Sequence, residues 1–134
     1  MKSLLVEKFE YRGLSRDESS GSRMYKCADG MKVPSVTTIL SATKSEESAA
    51  ALLAWKKRVG EAEAARVTRN ASDRGTLMHA FIEDYIAGKW QPEPCPASNL
   101  LEHQASKMAI EIIKKGLSLV SEVWGSEVSL YYPE

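Results

Sequence analysis

The first apolar and polar residues along the chain read as two strands, over residues 2–12 and 23–33. Between them lies a polar run, Ser15-Arg16-Asp17-Glu18-Ser19-Ser20-Gly21-Ser22, expected to be a long loop or disordered. Asp29-Gly30 adds a turn signal. Pro34 gives a sharp stop, after which Ser35 is placed to cap a short helix through Val36-Thr37-Thr38-Ile39-Leu40.

Helical spacing takes over from Ser45. A helix is expected from Ser45 to Arg58, with Ser45 as cap, Glu46 and Glu47 in the first turn and Lys56-Lys57-Arg58 in the last. Gly60 separates it from an Ala-rich helix over 61–70. Asp73-Arg74-Gly75 is expected to open a third helix, ending at Gly88, with Leu77, Met78, Phe81, Ile82, Tyr85 and Ile86 on its apolar face. Pro92, Pro94 and Pro96 make 89–97 a loop. Ser98 is expected to cap a long helix to about Leu119 that buries Leu101, Ala105, Met108, Ala109, Ile112 and Ile113. After Gly125, the stretch 127–132 alternates as a strand, with Glu127, Ser129 and Tyr131 on one face and Val128, Leu130 and Tyr132 on the other. Tyr131-Tyr132-Pro133-Glu134 reads as a turn. The pattern is α+β, mostly helical, with room in 134 residues for one domain.

Composition narrows this picture only slightly. Net charge is zero, with 18 basic and 18 acidic residues, so only local clustering can indicate a nucleic-acid partner. Cys27 and Cys95 with His79 and His103 fit no zinc-finger spacing, and two distant cysteines make no disulfide framework. No apolar run is long enough for a signal peptide or a membrane span, and the start lacks the Arg-rich, acid-poor character of a transit peptide. A reducing, cytoplasmic compartment is the expectation.

Four features could carry chemistry. His79 and Glu83 are four residues apart, so they stack on one helix face, where an imidazole and a carboxylate can share a divalent ion. Such a pair is more often a solvated surface interaction. Lys56, Lys57, Arg58, Arg66, Arg69 and Arg74 place six cations in nineteen residues against three acids, with Trp55 beside the first. That patch could track a phosphate backbone and stack on a base, although a solvated charged face is the commoner outcome. Glu127, within a strand, is either an edge-strand gatekeeper or a metal-facing carboxylate. Gly75, in a first helical turn, costs roughly 1 kcal/mol relative to alanine unless a backbone or phosphate must come close.

Taken in order, Val33-Pro34-Ser35-Val36-Thr37-Thr38-Ile39-Leu40, then Trp55-Lys56-Lys57-Arg58, then Arg74-Gly75-Thr76-x-x-His79-x-x-x-Glu83 resembles the RecB-like branch of the PD-(D/E)XK nucleases. The similarity is greatest to phage exonucleases and mitochondrial genome maintenance exonucleases, and spans roughly residues 23–132. The resemblance implies that His79 is a metal ligand, that Glu83 supports the site, and that Glu127 faces the metal from a first core strand, so that His79, Glu83 and Glu127 are the catalytic set. It implies Mg²⁺ or Mn²⁺ as cofactor and DNA, single-stranded at its ends, as partner. Ser35, Thr37, Trp55, Lys56 and Arg74 are the DNA-binding candidates it implies. The setting it implies is the cytoplasm of a phage-infected bacterium, ahead of a mitochondrion.

The rest of that signature is missing. No Asp follows Asp84, and Asp/Glu-x-Lys occurs nowhere in the chain. The resemblance therefore implies an incomplete α/β nuclease core, residues 1–134 being the N-terminal part of one nuclease domain that stops before its catalytic Asp and Asp/Glu-x-Lys strands. Such a fragment is expected to be inactive. Two other classes stay open: a helical module that holds nucleic acid through residues 56–74 without cutting it, and an interaction protein whose helix over 98–119 docks on a partner.

Overall fold

The computed structural model describes residues 1–132. The chain is α+β, with a three-stranded antiparallel sheet and four helices among the described residues. It divides into two compact units, the first built from Met1–Phe9 with Gly60–Glu127, the second from Glu10–Val59 with the residues from Val128 on.

The second unit begins with β1 (Ser15–Asp17), β2 (Met24–Lys26) and β3 (Lys32–Pro34), paired in that order. The stretch expected as one strand over 23–33 is thus a hairpin. Gly30 at φ 87° and the Asp29 carboxylate, which accepts from Met31 N at 3.0 Å, turn the chain there. The polar run expected to be a loop supplies β1, because Ser15–Asp17 can pair with β2 even though little of it is buried. Ser35 then caps α1 (Val36–Ala42), as its sequence position predicts: its Oγ accepts from Thr38 N at 3.1 Å. The cap is fastened to the sheet, because Ser35 N and Thr38 Oγ1 both donate to the Arg23 carbonyl. Ser45 caps α2 (Glu46–Val59) through Ser48 N. Among its described residues this unit buries only Cys27 and Ser35.

In the first unit, the two helices expected over 61–70 and from 73 to Gly88 are one, α3 (Glu61–Ile86). Asn70, Ser72 and Asp73 are cap-forming residue types, but they end a helix only where the backbone leaves helical angles. Here Ser72 keeps its turn, and its carbonyl accepts from the Thr76 hydroxyl. Gly75 accordingly lies mid-helix and not in a first turn. The C-terminus is as expected. Gly88 adopts φ 75°, Gly88 N donates to Tyr85 O, and Lys89 N donates to Asp84 O, the reciprocal pair of a Schellman motif.

Helix α4 (Leu100–Gly116) is capped by Asn99, whose side chain accepts from Glu102 N, and not by Ser98. It buries Ala105, Ser106, Ala109, Ile110 and Ile113. Met108 and Ile112, expected inside, are 41% and 40% exposed. The buried stripe is turned toward the small residues Ala105, Ser106 and Ala109, which allow α3 and α4 to approach closely. Fully buried Ser106 is satisfied, accepting from Cys95 N and donating to His103 O.

Residues 2–12 are not a strand. A strap over residues 3–6 instead satisfies two distant groups. Leu4 N and Ser3 Oγ donate to the Ile86 carbonyl at the end of α3, while Val6 N donates to Val123 O and Val123 N donates to Leu4 O. Leu5 and Val123 form an isolated parallel bridge. The strand expected over 127–132 is absent too: these residues are irregular and Glu127 has φ 55°, a left-handed conformation no strand contains. They have no partner strand among the described residues to receive their hydrogen bonds. The turn expected at Pro133-Glu134 lies outside the described residues.

The two glycines should respond oppositely to alanine. At Gly75 an added Cβ meets nothing within 4 Å, so Gly75→Ala should raise the unfolding free energy by about 1 kcal/mol. At Gly88 the Cβ would lie 3.0 Å from Met1 O and Ser3 N, so Gly88→Ala should lower stability by more than that amount. Urea denaturation of both variants checks the signs.

Candidate functional site

Helix α3 presents half-buried Gly75 and exposed His79 and Glu83 at successive intervals of four residues, along one face. The strap brings a second element to this helix. Val123 is held by Leu4 and Val6, and Trp124 is held by Lys8, whose Nζ sits 3.7 Å from the ring centroid, and by an edge contact with Phe9. Three residues further on, the left-handed turn at Glu127 sets its Oε1 3.6 Å from His79 Nδ1. A non-glycine residue in this conformation is held at a cost of order 1 kcal/mol by its surroundings.

The two expected metal ligands, His79 and Glu127, 48 positions apart in sequence, are therefore neighbours. Ligands bound about 2.1 Å from one small divalent ion lie no more than roughly 4 Å apart, so this spacing suits two donors on one edge of an ion. Glu83 does not complete the set. Among the described residues, no group of three or more His, Cys, Asp or Glu side chains is arranged to hold a metal. The nominal Cys27, Cys95, His79 and His103 set is likewise not assembled. Cys27 is buried in the other unit and burial pushes its thiol up, while His103 Nδ1 lies 2.6 Å from the Cys95 carbonyl.

The expected DNA-binding residues are divided between the units. Arg74 lies on α3, where its Nη1 donates to Gln104 Oε1 of α4 at 3.2 Å. Ser35, Thr37, Trp55 and Lys56 belong to the second unit. Ser35 and Thr37 are adjacent, hydroxyl to hydroxyl at 3.0 Å, but Ser35 Oγ is committed to the helix cap while Thr37 is exposed. Trp55 is half-buried on α2 and Lys56 is exposed beside it.

The six cations of residues 56–74 are not equivalent. Arg66 is forked onto Glu63 at 2.9 and 2.6 Å, and these bonds hold the Glu63 carboxyl below its ordinary value. Lys56, Lys57, Arg58 and Arg69 make no ion pair among the described residues. They are the charges open to an anion.

The second unit also contains a groove of about 610 Å³ that sequence reasoning did not find. Tyr25, Val33, Pro34, Thr37, Tyr131 and Tyr132 are among its walls. Its signal was present only as scattered tyrosines and could not be assembled without the hairpin. No helix among the described residues is long and apolar enough to cross a membrane. No protein-family model, curated protein or solved structure matches the chain.

The His79–Glu127 pair is too exposed to be a structural support, with side chains 66% and 59% accessible. His79→Ala and Glu127→Gln should therefore each change the unfolding free energy by less than about 1 kcal/mol. Denaturant titration of the two variants beside the parent chain checks this.

Proposed function

We propose that these residues belong to a metal-dependent DNA exonuclease of the RecB-like PD-(D/E)XK type, one that hydrolyses phosphodiester bonds at single-stranded ends. The observation that carries the reading is the approach of Glu127 to His79, 3.6 Å apart although distant in sequence. It is supported by the ordered motifs at Val33–Leu40, Trp55–Arg58 and Arg74–Glu83.

In this reading His79 and Glu127 would hold Mg²⁺ or Mn²⁺, and Glu83, one turn along α3, would orient or tune the site. Bound there, the ion supplies Lewis-acid polarisation of the scissile phosphate. The Asp and Asp/Glu-x-Lys that such chemistry also requires are not among the 134 residues. The chain by itself should therefore leave DNA uncut. Lys56, Lys57, Arg58 and Arg69 supply the attraction for the phosphate backbone. The corresponding setting is the cytoplasm of a phage-infected bacterium.

A module that binds nucleic acid without cutting it is the second reading. It is favoured by the lack of a third metal ligand among the described residues. The two readings separate on metal binding. The chain has two histidines, so Mn²⁺ titration followed by NMR has an internal control. The nuclease reading expects Mn²⁺ to broaden the His79 imidazole signals, to spare those of His103, and to lose its effect on His79 in Glu127→Gln. Identical responses of the two rings would leave the binding module. Degradation of DNA by the 134-residue chain with Mg²⁺ or Mn²⁺ would contradict its assignment as an inactive part.

A further inference from the structure

The groove of the second unit differs in chemistry from the His79–Glu127 pair. Three tyrosines line it, Tyr25 on β2 and Tyr131 and Tyr132. Arg23 is the one charged residue among the described residues lining it. The Arg23 backbone is fixed, since its carbonyl receives Ser35 N and Thr38 Oγ1. Its guanidinium is not. It makes no hydrogen bond among the described residues, and its nearest carboxylate oxygen, on Glu18, is 3.9 Å away and already bonded to Arg16.

Several groove residues are also apolar surface left in water. Tyr132 is 78% exposed, with Leu130 and Val36 nearly as open. A volume of about 610 Å³ falls within the range of about 300–1,000 Å³ found for ligand sites. Tyrosines, a cation held only by a loose 3.9 Å ion pair to Glu18, and the exposed Thr37, whose hydroxyl meets that of Ser35, match a ligand that is flat, apolar on its faces and anionic along its chain. Single-stranded nucleic acid has this character, because every base offers a π-face and every linkage a negative charge. A proline-rich peptide would use the tyrosines but leave Arg23 without a role.

We propose that this groove is a base-stacking site for single-stranded nucleic acid, in which Tyr131 and Tyr132 stack on bases and Arg23 pairs with a phosphate. It rests on the nucleic-acid reading above and is independent of the metal pair. The site would hold the strand in the unit that also carries the open cations Lys56, Lys57 and Arg58.

The test is fluorescence anisotropy of a short labelled oligothymidylate with the 134-residue chain, across a range of salt. Tyr131→Ala and Tyr132→Ala should each weaken binding roughly five-fold or more, while Tyr132→Phe keeps the parental affinity. Arg23→Gln should reduce the slope of log affinity against log salt by roughly 0.7. A base-free oligomer of the same charge should bind more weakly than the oligothymidylate. Both tyrosines are in irregular chain, Tyr131 half-buried and Tyr132 exposed, and circular dichroism of each variant verifies the fold. Parental affinity in Tyr131→Ala, Tyr132→Ala and Arg23→Gln alike would overturn the groove and leave the exonuclease reading standing. Displacement of nothing by the oligomer, with binding of a proline-rich peptide in its place, would also overturn it. Failure of the parent chain to bind any oligonucleotide at low salt would overturn both.

Discussion

The arrangement of the first unit depends on one short backbone strap. Residues 3–6 complete the hydrogen bonding of the α3 C-terminus at Ile86 and, on their other side, exchange hydrogen bonds with Val123. Backbone groups that leave regular structure must find partners, and here two such ends find the same partner. The Schellman turn makes this possible, because Gly88 supplies both the left-handed angle and the space into which Met1 and Ser3 pack. From that point Trp124, gripped by Lys8 and Phe9, fixes the segment that carries Glu127 to His79. A surface pair that contributes little stability is thus positioned by interactions that lie beyond it.

The same economy explains why the candidate chemistry is spread out. The core of the first unit is made of alanines, a serine and isoleucines between α3 and α4. It holds α3 firmly and leaves the helix face bearing Gly75, His79 and Glu83 uncovered. The second unit has almost no core, and its shape comes from hairpin pairing and from the Ser35 cap tied to Arg23. Groups that could meet an anion or a base, including Lys56, Arg23 and the tyrosines, lie there. His79 and Glu127 belong to the first unit, Arg23, Lys56 and the tyrosines to the second.

What could be read from sequence was local. Ser35, Ser45, Gly60 and Gly88 mark helix ends correctly, because capping and left-handed turns depend on a residue and its near neighbours. The hairpin turn at Asp29-Gly30 was legible for the same reason. Non-local partners were not: nothing in Leu4-Leu5-Val6 indicates that its hydrogen bonds go to Ile86 and Val123. Glu127 reads as a strand residue from alternation alone, yet alternation without a pairing partner does not make a strand. The buried face of α4 was displaced toward Ser106 and Ile110 because close helix packing favours small side chains over Met108. His79, Glu83 and Glu127 were singled out in sequence, but their residue types could not reveal that only His79 and Glu127 meet.

The strap can be tested directly by amide hydrogen exchange. Leu4, Val6 and Val123 each donate a backbone hydrogen bond within it. All three amides should exchange slowly and with one shared opening free energy, and Gly88→Ala should lower their protection together while α4 stays protected. Exchange of Val123 at the rate of an open chain, or protection of the three amides that varies independently, would contradict the strap and with it the placement of Glu127 against His79.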